Sequence, residues 1–254
     1  MLLEIKELTK DFGGLRAVEN FSLNIKKNDL IGLIGPNGAG KTTIFNLLTG
    51  VYEPTSGYVK LLGEEITAEK PYKITAAGIA RTFQNIRLFK DMSVLQNVLV
   101  SKHFNVEYGM FGGIFKSKLY QKEEIRIKRE AEVLLDRFGL QDKMHLPANS
   151  LPYGEQRRLE IVRALATNPA LLLLDEPAAG MNPQETAELM ELIRGIRKDF
   201  KIAILLIEHD MKFVMGLCER LVVLDYGKII AKGKPEEIRN NKRVIEAYLG
   251  EVEE

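Results

Sequence analysis

The chain has 254 residues, enough for one large domain or two small ones around a sizeable core. Hydrophobic residues make up 45% and charged residues 28%, and a formal net charge of +1 gives no electrostatic reason to expect nucleic acid as a partner. The single cysteine, Cys218, leaves neither an internal disulfide nor a cysteine cage for a metal, which fits a reducing compartment.

Met1–Leu8 alternates apolar and charged residues and holds no secretory run of roughly 7–15 apolar residues. The longest apolar runs, Ala170–Leu174 and Ala203–Ile207, are far shorter than the roughly 20 residues that span a bilayer. Any membrane-spanning part is therefore expected from a partner. Leu3, Ile5 and Leu8, then Phe21, Leu23 and Ile25, predict two strands joined through Gly13-Gly14. Leu30–Ile34 predicts a buried strand that runs into a Gly-rich turn, followed by a helix over Thr42–Thr49. Further strands are expected at Tyr58–Leu62, Ile79–Phe83, Leu171–Leu174, Ile202–Ile207, Leu221–Leu224 and Lys228–Ala231, and helices over Gln184–Lys198 and Asp210–Cys218. From Asn85 to about Ala166 strand patterning gives way to helical periodicity, as at Ala131, Leu134, Leu135 and Phe138. The expectation is an α/β core, residues 1–84 with 167–254, interrupted by a helical insertion at 85–166.

The stretch Gly35-Pro36-Asn37-Gly38-Ala39-Gly40-Lys41-Thr42-Thr43 fits the pattern G-x-x-x-x-G-K-[ST] and stands between a predicted strand and a predicted helix, where a phosphate loop belongs. Its glycines let successive backbone N–H groups face one anion, and the following helix N-terminus adds its positive dipole end. Lys41 is placed to reach the β- and γ-phosphates, and the Thr42 hydroxyl to ligate magnesium. The bland alternative is a Gly-rich turn with an incidental lysine.

Ala170–Pro177 is an apolar strand delivering two carboxylates at its end. Strand side chains alternate, so Asp175 and Glu176 are expected to point apart, Asp175 to the metal and Glu176 to the attacking water. His209 follows the strand Ile202–Ile207 and is expected on the same sheet edge, within reach of a γ-phosphate; otherwise it is a solvent-facing imidazole near a helix cap. His103 and His145 read as structural or surface residues.

Taken in order, these motifs resemble the ABC ATPases: the phosphate loop, Gln84 in Thr-Phe-Gln-Asn, Leu151–Arg158, Leu171–Pro177, Gly180–Pro183 and His209. The resemblance covers essentially the whole chain. It implies a P-loop NTPase fold with a RecA-like α/β core, an N-terminal antiparallel β-subdomain and an inserted helical subdomain carrying a signature loop. It also implies ATP and magnesium as ligands, Phe12 stacked on adenine, Val18 against the nucleotide, and Gln84 as a metal or water contact. The signature loop, Pro152-Tyr153-Gly154-Glu155, and Asn182 are implied to complete the site of a second ABC ATPase, identical or different. Both depart from the family pattern, with proline where a serine hydroxyl is usual and asparagine where aspartate is usual. Losing that charge-assisted bond is expected to cost about 1.5–3 kcal/mol, with backbone N–H groups near Gly154 still available.

Within the family, Ile86–Lys90, Leu151–Glu160, Asp175–Pro183 and Asp225–Gly250 are similar to the ATPase subunits of branched-chain amino acid importers. That implies transmembrane permease subunits as partners, a substrate-binding protein outside the membrane acting indirectly, and a place on the cytoplasmic face of the membrane. A lipid or lipopolysaccharide exporter ATPase, a nucleotide-regulated protein without transport and a DNA-repair ATPase are the alternatives. The last needs a long coiled coil for which residues 85–166 leave no room. Phe104–Phe115 reads either as a packing loop or as a contact for the membrane subunit, and Lys116–Glu130 as a solvated helix face.

Overall fold

A computed structural model of the chain describes residues 1–105 and 118–249. The chain divides into two compact units, Met1–Gln84 with Ala170–Glu254, and Asn85–Pro169. The insertion thus runs three residues past the expected 166.

In the first unit, β1 (Leu3–Phe12) and β2 (Leu15–Ile25) form an antiparallel hairpin around Gly13-Gly14. Strict alternation after Leu3 and Ile5 would bury Glu7. Instead Glu7 takes φ 51 at a register shift, which puts Leu8 in the core. The next elements are β3 (Leu30–Ile34), every residue of it buried, α1 (Lys41–Leu48), β4 (Ser56–Leu61), β5 (Glu64–Glu65), α2 (Pro71–Ala77) and β6 (Ile79–Arg81). One sheet runs β2-β1-β4-β5 and is antiparallel throughout.

The second unit contains α3 (Val94–Lys102), α4 (Lys118–Arg137) and α5 (Tyr153–Leu165). Ser93 starts α3 with a capping box to Gln96. Helix α4 buries Ile127, Ala131, Leu134 and Leu135 at helical spacing, while Arg126 bridges Glu123 and Glu130 along its polar side. His103 pairs with Glu124 at 3.0 Å, a local contact that keeps it structural. Of the aromatic stretch Phe104–Phe115, Phe104 is exposed and the part from residue 106 lies outside the described residues.

The chain returns as β7 (Leu171–Asp175), α6 (Pro183–Phe200), β8 (Ala203–Ile207), α7 (Met211–Leu217), β9 (Arg220–Asp225), β10 (Lys228–Gly233), α8 (Pro235–Arg239) and α9 (Lys242–Leu249). These build a second sheet with β3 and β6, in the order β10-β9-β3-β8-β7-β6. It is parallel from β9 to β6, with only β10 reversed. The runs at β3, β7 and β8 are wholly buried, as expected for parallel strands covered on both faces. Parallel direction has one functional consequence. The carboxyl ends of β3, β6, β7 and β8 all open on a single edge.

Candidate functional site

That shared edge collects the phosphate-loop pattern and four of the other predicted residues, Gln84, Asp175, Glu176 and His209. After β3 the chain turns through Gly35 to Gly40 and enters α1 at Lys41. Gly40 is the N-cap in the left-handed region, with no side-chain cap bond, so backbone N–H groups alone form that helix end. The loop is braced from behind. Gly227 N–H donates to Ala39 O at 3.0 Å, and a side chain at Gly35 would meet Leu224 O at 2.1 Å. Lys41 is buried and its ammonium donates to Gly35 O (2.6 Å) and Pro36 O (2.7 Å), which holds the charge inside the curl of the loop. Thr42 is exposed and Thr43 half-buried; Asn37 and Gly38 are exposed, and Pro36 and Ala39 are buried.

Asp175 is the last residue of β7 and is buried. Glu176 comes just beyond the strand with φ 46 and donates its N–H to Ile207 O at 2.9 Å. The two carboxylates do diverge, but a left-handed turn separates them rather than the strand pleat that the sequence led us to expect. Both oxygens of Glu176 are engaged: Gln84 Nε2 donates to Oε2 at 2.7 Å, and His209 Nε2 lies 2.6 Å from Oε1. An ionised carboxylate only accepts, so Nε2 carries the proton in that pair. Gly35, Pro36, Asn37, Gln84, Glu176 and His209 line one cleft of about 540 Å3, together with Tyr248 from α9.

Three residues here escaped the sequence reading. Arg81, at the end of β6, pairs with Asp175 Oδ2 at 2.7 Å, both side chains 6% exposed. Glu208 accepts the N–H of Ala178 (2.7 Å) and of His209 (3.1 Å), tying the loop after β7 to the loop after β8. Burial pushes its carboxyl above the usual range, against the pull of the Ala178, His209 and Asp210 N–H groups; the charge of Glu176 adds to the rise. Tyr248 is the third, and a tail read only for its likeness to a family carried no signal for a place in the cleft. A charge closing a short apolar strand was the available clue for Arg81 and Glu208.

The remaining expected residues separate. Phe12 ends β1 and is 40% exposed, its ring edge-on to Tyr52 at 5.1 Å and with Lys10 Nζ 5.0 Å from its centroid. It is an open aromatic face rather than a core residue. Val18 corrects the expectation: its side chain is fully buried, below Gly40, and presents no surface to a ligand. Asn182 is the N-cap of α6, its Oδ1 accepting from Gln184 and Glu185 N–H. Pro152, Tyr153, Gly154 and Glu155 belong to the second unit. Pro152 is the N-cap of α5 and makes no side-chain bond there; Tyr153 is exposed, Gly154 is buried, and Glu155 pairs with Lys143.

A phosphate loop between a central parallel strand and a helix, with carboxylates at the ends of neighbouring strands, defines the P-loop nucleoside triphosphatases. Residues 18–179 match the family profile described as ABC transporter, and residues 228–254 match one described as branched-chain amino acid ATP-binding cassette transporter. The chain is 48% identical over 251 residues to the high-affinity branched-chain amino acid transport ATP-binding protein LivG of Salmonella typhimurium, covering 99% of this chain and 98% of that protein. It is 46% identical to BraF of Pseudomonas aeruginosa, described in the same words, over the same shares. Among solved structures, the ADP conformation of MJ1267, an ATP-binding cassette of an ABC transporter, superposes with a TM-score of 0.86 at 31% identity and 98% coverage of each chain. The chain belongs to the ABC transporter ATP-binding family, and it is an ATPase of that family.

Proposed function

We propose that this chain is the ATP-hydrolysing subunit of an importer for branched-chain amino acids. Near full-length similarity to LivG and BraF supports the substrate class, and the match of the tail to the branched-chain profile supports it independently of the core motifs. No helix among the described residues is long and apolar enough to cross a membrane. In this reading the chain binds permease subunits at the cytoplasmic face of the membrane, and an extracytoplasmic protein delivers the amino acid. A second ABC ATPase closes over the nucleotide, with Pro152–Glu155 and Asn182 facing the partner's site.

The hydrolytic part rests on one observation, the hold that Gln84 and His209 keep on Glu176 beside the phosphate loop. Lys41 and the α1 N-terminus bind the phosphates, Phe12 offers a flat face to the base, and Glu176 orients the attacking water. The donor set suits magnesium. Asp175, Thr42 and Gln84 are oxygen donors, and no cluster of three His, Cys, Asp or Glu exists among the described residues that would form an all-protein cage. Held by these residues together with a nucleotide, magnesium would supply neutralisation of the phosphate charge. His209 keeps one oxygen of Glu176 fixed, and Gln84 the other.

Vesicles reconstituted with the cognate permease pair, the binding protein and this chain test the reading. ATP-dependent leucine accumulation is expected with the native chain and not with Lys41→Met. Amino acid movement that is outward, or that persists with Lys41→Met, would overturn it.

A further inference from the structure

Arg81 has no part in the site as proposed so far. It nonetheless holds the carboxylate assigned to the metal, and its partners come from three pieces of the nucleotide machinery. Nη2 donates to Asp175 Oδ2 at 2.7 Å. Nη1 donates to Asn46 Oδ1 at 2.7 Å and reaches Thr49 Oγ1 at 3.4 Å, both on α1. The guanidinium carbon lies 5.4 Å from the Phe45 ring and 5.1 Å from the Phe83 ring, the latter next to Gln84. A charge buried only to stabilise the core gains little over apolar packing, so a pair in this position asks for another use.

We infer that Arg81 is a positioning residue: it fixes one oxygen of Asp175 against the phosphate-loop helix and leaves the other to face the magnesium of a bound nucleotide. The inference rests on the proposed reading of Asp175. Arg81 also offsets part of the Asp175 charge, which by itself would weaken the pull on a cation; the orientation it imposes outweighs that loss, so removing Arg81 lowers the magnesium effect and does not raise it. Arginine is needed because its planar fork serves two acceptors at once, and a lysine ammonium reaching the same depth serves one well.

The test measures the affinity of the intact chain for N-methylanthraniloyl-ADP, with magnesium and with the metal chelated. The ratio of the two is the magnesium enhancement. In Arg81→Met that enhancement is expected to fall about tenfold, the usual scale for losing a group that orients a metal ligand, while chelated affinity stays within twofold. Arg81→Lys is expected to fall about threefold and carries the test should the methionine variant not fold. On an Asp175→Asn background, Arg81→Met is expected to add nothing. An unchanged enhancement in Arg81→Met, an equal loss with and without magnesium, or full additivity with Asp175→Asn would each overturn the inference. Should Asp175→Asn alone keep the full enhancement, the reading of Asp175 itself falls, a result distinct from the other three.

Discussion

At the scale of single residues, the site depends on backbone conformations that side chains resist. Gly40 sits at φ 101, and an added Cβ would come within 2.6 Å of Ala17 O, a backbone atom with little room to yield. Gly40→Ala is expected to cost about 1–3 kcal/mol of unfolding free energy through strain, and to weaken Mg-ATP binding because the loop must shift. A variant that melts and binds like the native chain would remove this constraint. Glu176 at φ 46 accepts a similar strain without glycine's freedom. There the side chain is needed, since it must meet Gln84 and His209 at once.

Single elements put the chemistry where it is by where they end. Strands β3, β6, β7 and β8 are short and parallel, so Gly35, Gln84, Glu176 and His209 follow strand ends on one edge. Helix α6 shows how a family motif also serves its own helix: Asn182 accepts two N–H bonds at its N-terminus, and Glu185 returns one. Asn182→Ala is expected to destabilise the chain by about 1 kcal/mol, read from the midpoint of chemical denaturation. An unchanged midpoint would mean that the cap bonds contribute nothing net.

This is also the scale at which the sequence was most readable. The apolar runs at β3, β7 and β8 and the loop pattern between β3 and α1 are local signals, and local signals suffice for buried strands and glycine turns. The two-residue β5 and the five-residue α8 have too few residues for a period to emerge. Arg81 with Asp175, and Tyr248 in the cleft, join positions far apart in the chain, and no local pattern announces such a meeting. Val18 failed for a related reason. A family role is attached to a position, but burial depends on what the fold packs over it.

At the scale of the whole molecule, one unit carries the phosphate loop with Asp175, Glu176 and His209, and the other carries Pro152–Glu155. In the proposed reading that loop serves the nucleotide of a second ABC ATPase, so the chain works in pairs. Hydrolysis is then the event that releases the pair, and Glu176 is the residue that should control it. The most direct measurement is the Glu176→Gln variant, which keeps the side chain's shape and removes its charge, followed for ATP turnover and, by light scattering, for mass with Mg-ATP added. The account predicts that turnover is lost and that the chain, pairing with itself or with a different partner ATPase supplied in the same sample, gains the second chain's mass and keeps it. Turnover equal to that of the native chain would contradict it.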